Sequence, residues 1–130
     1  MPVRFLSSSV FRWPDRNAVD RAVRDWAAAE VERHPEVCML GYFGSYARGD
    51  WSVGSDLDLI AVVDDSVEPF ERRSLSWDLN ALPVPADMVI YTVEEWERLR
   101  QSGGRFYRTV IREAIWVYQK AGRRRERFRM

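Results

Sequence analysis

The chain has little of what most site chemistries require. Among its 130 residues there is one cysteine, Cys38, and one histidine, His34. A single cysteine excludes an intrachain disulfide, and its apolar neighbours Val37, Met39 and Leu40 mark it as a small core residue. One histidine with no second His or Cys at ligand spacing excludes an imidazole–thiolate metal centre and leaves nucleophile–histidine dyads poorly supported. Placed just before Pro35, His34 reads as the end of a helix. Long hydrophobic runs are absent, so no signal peptide or membrane span is expected, and a soluble, cytoplasmic protein is. An excess of charge is absent too: 20 Lys+Arg balance 20 Asp+Glu, and no basic field argues for gripping a nucleic-acid duplex. The local exception is the stretch from Gly122 to Met130, with five arginines and one glutamate, read first as a solvated end and second as a docking arm for an acidic partner.

What the sequence does have is a core. Hydrophobic residues make up 46% of it and aromatics 13%, enough for one domain of this length, expected over 1–130 with its core at about 14–120 and a basic tail at 121–130. No repeat or linker divides it. Residues Met1 to Trp13 read as a short extended arm. Pro14-Asp15 starts a helix in which Val19, Val23, Trp26 and Ala27 recur at helical spacing, ending near Arg33.

Val37–Phe43 and Leu57–Val63 are short apolar runs rich in strand formers, the second nearly continuous and so expected in the middle of a sheet. A brief helical turn is expected from Ser45 to Arg48, a helix over Phe70–Asn80, and a strand over Val84–Tyr91 entered through Pro83 and Pro85. Thr92 and Glu95 form a capping-box pattern before a helix to about Arg100. Ser102-Gly103-Gly104 breaks that helix. A short helix over Phe106–Glu113 and a last strand or helix end at Ile115–Tyr118 complete the pattern. This alternation predicts an α/β fold, a small mixed sheet packed with helices.

The chemistry concentrates between Gly44 and Leu59. Gly44-Ser45-Tyr46-Ala47-Arg48-Gly49 is followed, five residues on, by Ser55-Asp56-Leu57-Asp58-Leu59. Gly44-Ser45 lies between a strand and a helical turn, where free backbone N–H groups and the positive end of a short dipole suit a phosphate. Gly44 has no Cβ to hold a phosphate off, and the Ser45 hydroxyl can donate to a phosphate oxygen. Arg48 is open to two readings, positive charge for the phosphates or a brace paired with a local carboxylate such as Asp50.

Asp56 and Asp58 stand two apart, so they project from the same face of the strand. Carboxylates held that close repel unless a cation lies between them or one is protonated. Magnesium suits the task because it takes oxygen ligands and keeps positions for triphosphate oxygens. Two-metal transfer calls for a third carboxylate. Asp87, at the start of the third strand, is the candidate, able to ligate metal and to help take an acceptor's proton. Together these residues point to nucleotidyl transfer from a metal-bound nucleoside triphosphate.

The pattern Gly-Ser-x-Ala-Arg-Gly, five residues, Ser-Asp-x-Asp-Leu resembles that of the DNA polymerase β-like nucleotidyltransferase superfamily, and more narrowly its minimal nucleotidyltransferase (MNT) domains. The sharp motif covers sixteen residues, and the layout covers roughly Pro14 to Lys120. The resemblance implies a polymerase β-like fold. It implies triphosphate held by Gly44 and Ser45, two Mg²⁺ ions on Asp56, Asp58 and Asp87, and ATP as substrate. MNT proteins are commonly paired with helical HEPN proteins in toxin–antitoxin modules, where some transfer AMP to a tyrosine of the partner. A HEPN-family partner and an antitoxin role are therefore expected. Trp51, Trp77 and Trp96 are candidate docking residues, although for each taken singly a core or partly buried role is the first reading, since tryptophan is highly buried on average. Two alternatives accompany this reading. One is a contact antitoxin or nucleotide-binding module without catalysis. The other is a small-molecule, aminoglycoside-type nucleotidyltransferase, less expected because the 130 residues include no second, helical domain for the drug.

Overall fold

The structure is a computed structural model that describes residues 13–121. The expected amino-terminal arm, up to residue 12, and the basic tail from residue 122 lie outside the described residues.

The first helix, α1, spans Arg16–Arg33. Asp15 caps it, its Oδ1 accepting from the Ala18 N–H at 2.8 Å, and His34 closes it ahead of Pro35. Val19, Val23, Trp26 and Ala27 line its buried face. The elements β1 (Val37–Phe43), α2 (Ser45–Arg48) and β2 (Leu57–Val63) follow as their sequences predict. After a crossover come β3 (Ala86–Thr92), α3 (Val93–Ser102), α4 (Arg105–Glu113) and β4 (Ile115–Gln119). The Thr92–Glu95 capping box is formed in both directions. Strand β3 begins at Ala86 rather than Val84, because the two prolines ahead of it cannot donate to a ladder.

The helix expected over Phe70–Asn80 is not formed. That segment is two 3₁₀ turns, Phe70–Ser76 and Leu79–Ala81, with Trp77 extended between them at φ −103°, ψ 143°. Neither turn buries a residue of its own, so no apolar stripe rewards a continuous helix. The segment is instead held by Trp77, which stacks on His34 with centroids 4.1 Å apart. The adjacent Asp78 carbonyl accepts from Trp26 Nε1 at 2.8 Å.

The sheet order is β3-β2-β1-β4. Strand β1 is antiparallel to both neighbours, and β2 and β3 are parallel, so the sheet is mixed. The near-continuous apolar β2 is indeed central. Gly41 lets β4 approach β1, since a Cβ there would lie 2.6 Å from the Ile115 carbonyl oxygen.

Alternation along the strands sorts the core into two layers. On one face Leu57, Leu59, Ala61 and Val63 pack with α1 and the 3₁₀ segment. On the other, Ile60 and Val62 pack with Val93 and Trp96 of α3 and Val110 of α4. Trp96 is 2% exposed and touches the rings of Tyr91, Tyr107 and Trp116. Truncating it opens a cavity between α3, α4 and the sheet, and Trp96→Ala is expected to cost about 3–5 kcal/mol, checked by denaturant unfolding. Of the two roles open to Trp96 and to Trp77, 7% exposed, the core role holds and the docking role does not: both rings are consumed by the core.

Candidate active site

The strand pairing sets Asp58 beside Asp87 at one end of the sheet, with Asp56 just ahead of β2. Where β1 ends, β2 and β3 begin. Asp58 is registered against Phe43 on one side and Asp87 on the other. Asp58 lies on the face that carries Ile60 and Val62, Asp87 on that of Val89 and Tyr91, and both belong to the α3–α4 layer by alternation. Asp56 precedes β2 by one residue, two before Asp58. Asp58 is half-buried, while Asp56 and Asp87 are exposed.

The electrostatics follow from this register. Burial raises the Asp58 carboxyl above its ordinary range, and the charges of Asp87 and Asp56 raise it further, with Glu113 adding and Arg48 opposing. A charged carboxylate held there is under strain that a cation relieves. Among the described residues no group of three His, Cys, Asp or Glu side chains is gathered as a ready-made metal cage. The donor set is nevertheless all-oxygen and anionic, which fits a hard divalent ion such as magnesium.

Gly44 is where the phosphate-type turn meets the aspartates. It adopts φ 81°, ψ −155°, a region open essentially to glycine alone. A Cβ there would lie 2.2 Å from Asp58 Oδ2, so the missing side chain makes room for the carboxylate. Ser45 opens α2, a four-residue turn that supplies no acceptor for its own first amides.

Several groups fix this turn from outside. Arg16 Nη2 donates to the Ala47 carbonyl at 2.9 Å, Trp13 Nε1 donates to the Tyr46 hydroxyl at 2.7 Å, and Trp51 stacks on the fully buried Tyr46 ring with centroids 5.7 Å apart.

For Arg48 the geometry follows the bracing reading. Its Nε donates to Asp50 Oδ2 at 3.0 Å and its Nη1 to Glu113 Oε1 at 3.2 Å. Glu113 is the residue that sequence reasoning missed. It closes α4, and the same Oε1 accepts from the Gly44 N–H at 3.3 Å. One signal for it existed. A carboxylate in the last turn of a helix opposes the helix dipole, and such a residue calls for compensation from elsewhere in the fold.

A cavity of about 300 Å³ lies at the far end of β2, lined by Glu36, Val63, Asp65, Arg73 and Trp77 among others. It includes none of Asp56, Asp58 and Asp87. The candidate site is the open carboxylate edge, because chemistry rather than concavity marks it.

The profile of the nucleotidyltransferase domain family matches residues 25–117, and the chain belongs to that family. No curated protein matches the sequence. Among solved structures, a candidate nucleotidyltransferase from Sulfolobus solfataricus superposes with a TM-score of 0.60 at 14% identity, covering 92% of this chain and 96% of its own. A toxin–antitoxin structure with AMP-PNP gives 0.55 at 17% identity, covering 80% and 79%. A mutant of the toxin–antitoxin pair MntA–HpeT gives 0.51 at 18% identity, covering 88% and 81%. At these identities the likeness is one of fold: the mixed four-stranded sheet with its helices is that of the nucleotidyltransferases. Among the described residues no helix is long and apolar enough to cross a membrane.

Proposed function

We propose that the chain transfers AMP from ATP to a hydroxyl of a partner protein, a helical HEPN-type toxin that it thereby silences. The observation that carries the reading is the register of Asp58 against Asp87, beside a turn whose glycine is shaped around the Asp58 carboxylate. In this proposal Asp56, Asp58 and Asp87 hold magnesium, two ions in the complete site. Bound there, magnesium supplies neutralisation of the triphosphate and of the charge that develops as pyrophosphate departs.

The chain's own groups do the remainder. The Ser45 and Tyr46 amides and the Ser45 hydroxyl hold phosphate oxygens at the turn. The sheet edge orients the acceptor for in-line attack, and the acceptor oxygen bonds to the α-phosphorus as the bond to pyrophosphate breaks. Asp87, exposed at the edge, helps take the acceptor's proton. A partner protein as acceptor is supported by the toxin–antitoxin structures that share the fold.

The test is transfer of label from α-labelled ATP, with Mg²⁺, into a lysate of the source cells. Label entering one small protein is the expected result and allows the target to be identified by mass. Label entering a small molecule would redirect the assignment to an aminoglycoside-type enzyme. Neutralisation of the partner without any labelling would redirect it to a contact antitoxin.

A further inference from the structure

We propose that Glu113 is a positioning residue, a carboxylate clamp that holds the phosphate-binding turn in its working shape. The proposal rests on the nucleotidyl-transfer reading of the site. One oxygen, Oε1, accepts from the Gly44 backbone N–H at 3.3 Å and from Arg48 Nη1 at 3.2 Å. It thus ties the residue that enters α2 and the residue that ends it to the last turn of α4.

The tie spans 69 residues of sequence, so no local preference of the turn produces it. The Glu113 side chain is only 11% exposed. Its bond to the Gly44 N–H is part-buried, where a carboxylate acceptor makes a stronger bond than in water, whereas its pair with Arg48 is exposed. Its other oxygen, Oε2, lies 4.0 Å from Arg112 Nη2, and Asp58 feels its negative charge.

The physical case for a clamp rests on the turn itself. Gly44 is unusually free in the unfolded chain, and α2 has only four residues, too few to be stable alone. A turn that must present open amides to phosphate gains from being ordered in advance. Glu113 provides that order while occupying the Gly44 N–H and leaving the next two amides, of Ser45 and Tyr46, for ligand. The carboxylate also neutralises Arg48, which keeps that guanidinium in the bracket with Asp50 instead of in the open edge.

Charge and hydrogen bonding push the ligand affinity in opposite directions, which makes the clamp testable. A negative charge near a polyphosphate weakens binding by repulsion, whereas a clamp strengthens it by order. The probe is inorganic tripolyphosphate with Mg²⁺, read by calorimetry on the full chain, so that the unknown base preference does not enter. Glu113→Gln keeps the acceptor and removes the charge, while Glu113→Ala removes both.

The expected result is binding by Glu113→Gln within threefold of wild type or tighter, and at least tenfold weaker binding by Glu113→Ala. Amide hydrogen exchange across residues 44–49 should speed up in the alanine variant alone, with exchange in β2 unchanged. Tighter binding by both variants would make Glu113 a competing anion and overturn the clamp. Equal loss in both would make it a charge or metal ligand and overturn it as well. A lowered Tm with unchanged binding would reduce it to a structural tie. If wild type takes up no tripolyphosphate, the nucleotidyl-transfer reading falls and the clamp's role falls with it. If wild type binds and Glu113→Ala binds equally, only the clamp is rejected.

Discussion

Asp58→Asn is expected to lower nucleotidyl transfer by about 10²–10³-fold, the range for losing one well-placed electrostatic group, while leaving the protein as stable as wild type or more so. Both halves follow from one geometry. Asp58 is the innermost of the three aspartates, half-buried and registered between Phe43 and Asp87. Its charge is disfavoured by burial and by Asp87 and Asp56. Asparagine is nearly the same size and is neutral, so the substitution relieves that repulsion without opening a cavity. It also removes the central anionic oxygen of the proposed metal site. Thermal unfolding beside the labelling assay checks both halves. Undiminished transfer would reject the site, and a Tm lowered by several degrees would show that the carboxylate's role is structural.

Gly44→Ala is expected to be more damaging to the fold and comparably damaging to transfer. The backbone at φ 81°, ψ −155° costs any residue with a Cβ about 1–3 kcal/mol. The new methyl would also lie 2.2 Å from Asp58 Oδ2. That oxygen ends a side chain that can turn away, so the contact adds little to the cost in stability. The Asp58 carboxylate must turn aside, however, and leaves the position it holds beside the turn.

Gly54→Ala is the matched control. Gly54 also has positive φ, 91°, but a Cβ there meets nothing within 4 Å. That variant is expected to show the backbone cost alone and to retain transfer. Melting curves and labelling of the two variants side by side provide the measurement. Equal effects of the two substitutions on transfer would mean that the contact with Asp58 has no consequence.

The candidate site was legible where its parts are neighbours in sequence. Gly44, Ser45, Asp56 and Asp58 fall within one strand–turn–loop–strand unit, so their spacing alone places them together. Asp87 required an assumption that the third strand lies beside the second, and the parallel register of β2 and β3 meets it. Arg48 stayed open between phosphate and brace because the choice depends on which carboxylates come within reach. Asp50 is two residues away, but Glu113 arrives from 65 residues away.

The tryptophans show the same division. Composition revealed six of them, but a burial of 2% for Trp96 and 7% for Trp77 is a property of packed layers. The 3₁₀ segment is the clearest miss. Its residues tolerate a helix, and a stacking contact with His34 together with a hydrogen bond from Trp26 held it otherwise.

The sequence alone determined the strands, most of the helices and the residues of the candidate site. Periodicity, caps and prolines act over a few residues, and so does the pairing of a glycine–serine turn with carboxylates two apart. Tertiary structure decided that Asp87 stands beside Asp58, which carboxylates meet the Arg48 guanidinium and which distant groups bond to the turn. Those outcomes depend on strand register and on helix α4 meeting β1, contacts between residues far apart in the chain. Their free energy comes from burying the sheet faces as a whole, and no local pattern encodes it.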